Sequence, residues 1–302
     1  MKTLVSKGTT VTLITLLSIV VIYEHVFAGR GAATDQIIEA RGIVFRDKAG
    51  RARAKLGICA QPKDSAALVF YDKDGKEKVA ITTTEAGEPL VELNGSDQKP
   101  RIAMTVGEGG AAMVSVHAAG GQAIYQLDSR ADGSIHEYLL DKEGKQRVES
   151  HVGSDGMVQL SVKGPKDTLV HRIGVMPDGQ VFESFYDLSG KPRLTLRVEP
   201  SGGSRVQFRD AAGNERAGFT LRADGAAEQT LRDSSGKARV GMTVSNSGEP
   251  RLGLSYPNGG NAIDLFVDKK GRTAVIVGDQ TGKRNIGINM NPEGVPSFIV
   301  PE

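Results

Sequence analysis

The stretch DLSGKPRLTLRVEPSGGSRVQFR, residues 187–209, contains one unit of the repeat that decides the fold. The next 23 residues, DAAGNERAGFTLRADGAAEQTLR at 210–232, follow the same plan. Each unit has an Asp-x-x-Gly turn, a segment of alternating apolar residues, a second glycine and another alternating segment. Self-similarity at a fixed period of roughly 20–50 residues is typical of proteins that stack one small structural unit.

Two glycine positions recur every 23 residues, and we name the turns around them first turns and second turns. The first-turn glycines, with Gln98 and Asp167 in the two remaining places, are Gly75, Gly121, Gly144, Gly190, Gly213, Gly236, Gly259 and Gly282. The second-turn glycines are Gly87, Gly110, Gly133, Gly156, Gly179, Gly202, Gly225, Gly248, Gly271 and Gly294. The sequence therefore predicts ten copies, preceded by an imperfect first copy at 42–65.

Apolar residues are fixed at two places in each copy. The residue six places after the first-turn position is apolar except at Ser150, and the residue eighteen places after it is apolar in every copy. Apolar residues two apart surround both places, as in Leu194, Leu196 and Val198, and mostly polar residues lie between them. This alternation predicts half-buried β-strands.

The turn residues predict how the strands connect. In turns such as those at Asp72, Asp141, Asp187 and Asp233, Asp opens a tight turn and Gly takes the left-handed position that closes it, which is typical of hairpins. A four-residue loop at the first turn and a three-residue loop at the second would place every apolar residue on one face, with Val79 opposite Leu93 and Ile81 opposite Val91. Three-residue loops at both turns would put the apolar sets of successive strands on opposite faces.

Residues 42–302 are therefore predicted to form an all-β antiparallel meander of about 22 strands, with the hairpin as its unit. Two alternatives remain open at this point. One is a parallel β-solenoid with a 23-residue coil per copy, and the other is an intertwined trimeric β-fibre.

The repeat length and the Asp-x-x-Gly-Lys turns resemble those of tandem β-hairpin repeat surface proteins. These are the single-layer sheet of the spirochaetal outer-surface lipoprotein and the MORN repeat, which has the same length. The aromatic residues and the His-Gly pair of MORN repeats are absent here, so no MORN function is carried over. The chain also resembles exported bacterial proteins built from Leu-x-Leu-x-Asp-x-x-Gly-Lys-x-Arg units.

The amino terminus reads as an export signal. Residues 1–28 have a basic start at Lys2 and Lys7, an apolar run and small residues that suit cleavage near Ala28. Residues 9–28 are also long enough to act as a retained membrane anchor, so cleaved signal peptide and signal anchor both stay open. Residues 29–41 form a connector. The remaining chain is expected to be exported, to the periplasm or the cell surface.

Composition excludes several function classes. The 302 residues carry 38 Lys and Arg against 36 Asp and Glu, so no overall field draws the chain to nucleic acid, which is not an expected partner. The single cysteine, Cys59, cannot form an internal disulfide or a cysteine metal cluster. It is interpreted as a buried small hydrophobe or as an intermolecular disulfide partner.

No motif indicates catalysis, a cofactor or a metal. Neither a Gly-x-Ser-x-Gly elbow nor a phosphate-binding loop occurs, so the chain is predicted not to be an enzyme. The Asp-rich turns fail the spacing of a calcium loop, since counting from Asp128 gives Arg130 and Leu139 where ligands are required. The histidines occupy different places in the repeat and are each interpreted as a lone exposed side chain, at His25, His117, His136, His151 and His171.

Cations follow the first turns at fixed places and are expected to line a stripe on the polar face. The predicted stripe, a low-ranked site for a polyanion, is Lys76, Arg101, Lys145, Arg147, Lys191, Arg193, Arg216, Lys237, Arg239 and Lys283. The alternative interpretation is that these charges solubilise the polar face.

These observations favour a non-enzymatic, exported structural or scaffold protein of the cell envelope that acts as a spacer, stalk or interaction surface. A one-sided apolar face needs a cover, so self-association is expected. The alternative function is a binding module for an anionic glycan or another polyanion along the Lys/Arg stripe. If the N-terminal segment is retained, the membrane is a further partner.

Overall fold

The computed structural model describes residues 40–59 and 65–300 of the chain. The predicted export segment, most of the connector and the irregular stretch of the first copy at 60–64 lie outside these residues. Within the described part, no helix has the length and apolar character needed to cross a membrane.

The described residues form 23 strands and one short 3-10 turn at Glu108–Gly110. The first eight strands are β1 (Gly42–Arg46), β2 (Ala52–Cys59), β3 (Ser65–Tyr71), β4 (Glu77–Thr83), β5 (Pro89–Asn94), β6 (Pro100–Val106), β7 (Ala112–His117) and β8 (Ala123–Ser129). The next eight are β9 (Ile135–Leu140), β10 (Gln146–Val152), β11 (Val158–Lys163), β12 (Leu169–Val175), β13 (Val181–Tyr186), β14 (Pro192–Val198), β15 (Ser204–Arg209) and β16 (Glu215–Leu221). The last seven are β17 (Ala227–Arg232), β18 (Ala238–Val244), β19 (Pro250–Ser255), β20 (Asn261–Val267), β21 (Thr273–Gly278), β22 (Asn285–Met290) and β23 (Pro296–Ile299).

All strands belong to one sheet in which each strand pairs antiparallel with the strand before and after it in the chain. The predicted meander is confirmed, with one strand more than the 22 expected. The antiparallel pairing of consecutive strands excludes the parallel solenoid. All pairings form within one chain, unlike those of an intertwined trimeric fibre.

The predicted side-chain parity is confirmed, because Val79 pairs with Leu93 and Ile81 pairs with Val91. The predicted loop length is wrong for the first turns, with one exception. At the turn between β13 and β14, the Asp187 amide donates to the Lys191 carbonyl across a three-residue loop. The register then shifts, so that Arg193 forms a β-bulge between the paired residues Pro192 and Leu194.

The bulge supplies the extra residue that a four-residue loop would have supplied, so the apolar residues stay on one face. The exception is the turn between β21 and β22. There the Asp279 amide donates to the Arg284 carbonyl across four residues, and the strands pair without a register shift. Second turns have three-residue loops and no bulge, as in the pairing of β12 with β13.

The sheet is a single layer. Strands contact their neighbours in the sheet, and no strand of the described residues packs extensively on a strand that is not its neighbour. No large side chain of the described part is fully buried. Both faces of the sheet are therefore open, and the fold has no interior of the kind that two packed layers enclose.

Candidate interaction surface

The apolar face carries most of the large apolar side chains of the described strands, and many of them are more than a third exposed. Phe219 on β16 is 48% exposed and Ile288 on β22 is 52% exposed, although both sit in well-paired strands. Contiguous apolar surfaces of this extent mark sites of association in soluble proteins. The face is therefore the strongest candidate for an interaction surface.

A groove of about 800 Å³ lies on this face between β15 and β21. Most of its lining residues are apolar, and they come from the half of each strand next to the second turns. They include Val206, Phe219, Leu221, Met242, Leu252 and Leu265, and polar residues such as Arg205, Glu228 and Gln229 line it as well.

Three carboxylate or amide side chains lie on the apolar face of the described strands, all at the place sixteen residues after the first-turn position, whereas its other polar side chains, such as Ser150 and His171, are hydroxyls or rings. The three are Glu137 on β9, Glu183 on β13 and Gln229 on β17, which are four strands apart. Every other copy has Val, Leu or Phe at this place. The sequence does show this pattern when the residues at this place are compared across the copies, because the polar ones recur in alternate copies.

Two of these side chains have partners on the same face. Glu183 Oε1 lies 2.9 Å from His171 Nε2, and the His171 ring stacks on Phe185 at 4.7 Å. Tyr125 and Glu137 form the equivalent pair two copies earlier. Desolvation raises the pKa of the Tyr125 hydroxyl, and the hydrogen bond that it donates to the Glu137 carboxylate raises that pKa further. Gln229 makes no side-chain hydrogen bond to the described residues.

The polar face is covered by its own long side chains, so small residues beneath them are buried. Ser184, Thr195 and Thr230 are examples. Ion pairs tie the covering side chains across strands, as where Arg251 donates to both oxygens of Asp264 at 2.8 and 2.7 Å.

The prediction that each histidine is a lone exposed side chain is wrong for all four described histidines. His117, His151 and His171 are half-buried, and each contacts another side chain or ring. The largest departure is at His136. This residue is 6% exposed, its ring stacks on that of His151 at 4.3 Å, and its Nδ1 lies 3.3 Å from Glu149 Oε1. The cross-strand pairing of β9 with β10 brings the two rings together. His25 lies outside the described residues, and within them no group of three or more His, Cys, Asp or Glu could hold a metal ion.

Four first turns are held by a clasp of one Asp and one Arg six residues later, which we call the Asp–Arg clasp. Asp187 accepts hydrogen bonds from the Ser189 hydroxyl at 2.6 Å, from the Lys191 amide at 3.0 Å and from the guanidinium of Arg193. Ser189, Lys191 and Arg193 together hold the pKa of Asp187 far below its usual value. The bulge positions Arg193 so that its side chain reaches back to the turn that precedes it.

The clasp also joins neighbouring first turns. Arg193 donates to the Asp210 carbonyl of the next first turn, and the Lys191 ammonium donates to the Ala211 carbonyl at 3.1 Å. The same links recur in other copies, from Lys76 to Ser96, Arg101 to Ala119, Arg147 to Gly164, Arg216 to Arg232, Lys237 to Pro257 and Arg239 to Tyr256.

The predicted stripe residues thus lie together along the first turns, but most of them donate to carbonyl and carboxylate oxygens of this same row. Lys145 lies 4.0 Å from Asp167, and Lys283 follows the one first turn that has no bulge. Sequence reasoning missed the Asp partners because Asp and Arg of one clasp are six residues apart across a turn whose bulge was not foreseen.

Comparisons with known proteins provide no family. No family model matches the chain, and none of the curated proteins matches it. Among solved structures, the chain is similar to the TCP domain of Drosophila melanogaster SAS-4 in complex with a proline-rich motif of Ana2. That similarity covers 67% of this chain and 90% of the other, with 9% sequence identity and a TM-score of 0.29.

Proposed function

We propose that this chain is a non-enzymatic, exported scaffold of the cell envelope whose apolar face is its interaction surface. The observation that carries the proposal is the apolar face itself, which continues across a one-layer sheet with no second layer over it. The repeat sets the length of the surface, since each hairpin adds two strand spacings of about 4.8 Å. A spacer or stalk with an adhesive side fits this geometry.

Binding of an anionic glycan along the Lys/Arg stripe ranks below the scaffold function. Stripe cations such as Arg147 and Arg239 are engaged by Asp141 and Asp233 of their own turns. A polyanion would have to compete with these contacts and with the carbonyls of the neighbouring turn. The net charge of +2 adds no long-range attraction.

The proposal is tested by placing charges on either face of the same strands. The variant Phe219→Lys with Met242→Lys puts two cations on the apolar face, and the matched control Thr220→Lys with Thr243→Lys puts them one residue on, on the polar face. Circular dichroism checks that both variants keep the sheet.

Sedimentation then measures how much of the full chain is recovered in assemblies or with the envelope fraction. The apolar-face variant is expected to move to the free fraction, at least about tenfold more than the control, because burying a lysine in an apolar contact is costly. If both variants sediment like the wild-type chain, the apolar face is not the interaction surface and the proposed function fails.

A further inference from the structure

The apolar face offers far more area than one stable contact requires. If each half-exposed large apolar side chain leaves about 70 Å² uncovered, the face presents on the order of 2,000 Å², against about 800 Å² per partner in a standard interface. The face also extends along the whole sheet, whereas the groove between β15 and β21 is only part of it. The occupant must therefore be long as well as apolar.

A cover of this length must match the sheet in spacing and in twist. Sheets twist by roughly 20–25° per strand, so a foreign surface with another repeat would diverge from the face within a few strands. A second copy has the same strand spacing, the same twist and the same apolar columns. Two such sheets can pack about 10 Å apart with their strands nearly aligned, as in a β-sandwich.

A uniformly apolar face would leave the register of two copies undefined, because a shift by one hairpin restores the same contacts. The three carboxylate and amide side chains reduce this degeneracy. Glu137, Glu183 and Gln229 lie on β9, β13 and β17 at the same height, so they are symmetric about β13. Buried polar groups are known to specify register in this way.

We propose that a second copy of this chain covers the apolar face with its strand order reversed about β13. In this register Glu137 lies opposite Gln229 of the second copy, whose amide can donate to the carboxylate. Glu183 lies near its own counterpart on the two-fold axis, and each Glu183 brings the His171 that contacts it at 2.9 Å. This inference rests on the proposed function.

The same register pairs the apolar members of this column with one another. Leu160 on β11 faces Val206 of the second copy on β15, and Val91 on β5 faces Val275 of the second copy on β21. Strands β3–β23 then overlap, and only β1 and β2 extend past the other copy. Reversal about β11 or about β15 places at least one of the three polar side chains against an aliphatic one.

Cross-linking of the full chain tests the register directly. In a Cys59→Ser background, Glu183→Cys is treated with a short bismaleimide that suits sheets about 10 Å apart. Leu160→Cys, at the same place of the preceding copy, is the matched control, and Cys59→Ser alone gives the baseline. We expect at least about tenfold more covalent dimer from Glu183→Cys, since residue 160 of one copy lies about four strand spacings from residue 160 of the other.

A second pair of variants gives an answer even if the cysteine variants fold poorly. Gln229→Glu sets two carboxylates against each other without the histidine partner that each Glu183 has, and is expected to weaken dimerisation about tenfold or more, measured by analytical ultracentrifugation. Adding Glu137→Gln to this variant exchanges the two side chains and is expected to restore dimerisation. Within one copy these residues are eight strands, about 38 Å, apart, so no contact inside the chain explains a rescue.

Two outcomes overturn the inference. Equal cross-linking at 160 and 183 means that the strand order is not reversed about β13, and a purified chain that stays monomeric means that no second copy covers the face. Either result leaves the scaffold function standing if lysines at 219 and 242 still release the chain from its assemblies or from the envelope fraction.

Discussion

Most first turns share with the second turns a three-residue loop that ends in a left-handed glycine, yet the two kinds of turn differ in how their charged side chains are used. In second turns, the side-chain hydrogen bonds of Asp132, Asp178 and Asp268 stay within the turn. In first turns such as the one between β13 and β14, the bulge carries an Arg that binds its own turn and the neighbouring one. A single extra residue thus separates a turn that only reverses the chain from one that ties the sheet together.

The largest expected effect comes from removing that residue. Deletion of Arg193 leaves a three-residue loop without a bulge, so every apolar side chain on one side of the change moves to the opposite face. We expect loss of cooperative folding, measured by thermal melts with circular dichroism. Arg193→Ala keeps the chain length and is expected to cost only about 1 kcal/mol or less.

A deletion near the end of the chain sharpens this result. Removing Lys283 shortens the four-residue loop between β21 and β22, so only β22 and β23 change faces. A melt close to that of the wild-type chain is expected. If the Arg193 deletion variant has the same melting curve as the Lys283 deletion variant, the fold does not depend on the bulge keeping the apolar side chains on one face.

The Asp–Arg clasp predicts loss of stability in acid. Hydrogen bonds from Ser189 and Ser235 are the largest causes that lower the pKa values of Asp187 and Asp233 below their usual 3.8. A carboxylate whose pKa is lowered by folding stabilises the fold above its unfolded pKa and loses that effect as the pH falls through the folded value.

The melting temperature should therefore hold down to about pH 5 and fall below about pH 4. In the double variant Asp187→Asn with Asp233→Asn, the melting temperature at neutral pH should be lower and its decline in acid shallower. An unchanged acid slope in the variant would contradict the assignment of this stability to the clasp.

The smallest effect concerns the two first turns that lack glycine. Gln98 and Asp167 have φ of 62° and 58°, in the left-handed region that costs a residue with a Cβ about 1–2 kcal/mol. Asp167→Gly should stabilise the chain by about 1 kcal/mol, because the exposed ion pairs that Asp167 forms with Arg147 and Lys145 are weak.

Gln98→Gly should be nearly neutral by comparison. The Gln98 amide accepts from the Glu77 backbone at 3.0 Å and donates to its carbonyl at 3.2 Å, and both bonds disappear with the side chain. Urea unfolding of both variants measures the difference. Equal stabilisation by the two glycines would mean that the Gln98 bonds contribute nothing.

The strands, their pairing and their faces could be predicted because each depends on a short periodic signal. Apolar residues two apart around Leu196 identify the strand. The recurrence of apolar residues at fixed places of the repeat predicts that Val79 pairs with Leu93. The bulge could not be predicted, because a four-residue loop and a three-residue loop with a bulge use the same number of residues. The clasp depends on the bulge, so Arg193 was placed on the stripe without its Asp187 partner.

The interaction surface was predicted only in part. Its apolar columns are visible in the sequence, but the groove between β15 and β21 combines residues of seven strands, which no local pattern identifies. The burial of His136 depends on the ring of His151, which is fifteen residues away in the sequence and adjacent across β9 and β10.

Each strand pairs with the strands before and after it in the chain, and this arrangement also determines how the sheet responds to force. A pull on the two ends acts across the strands, so it opens the backbone hydrogen bonds of one hairpin after another instead of shearing many at once. Each hairpin released adds roughly 75 Å of extended chain. An uncovered sheet is therefore a compliant tether that lengthens in small steps, and a cover over its apolar face makes it stiff.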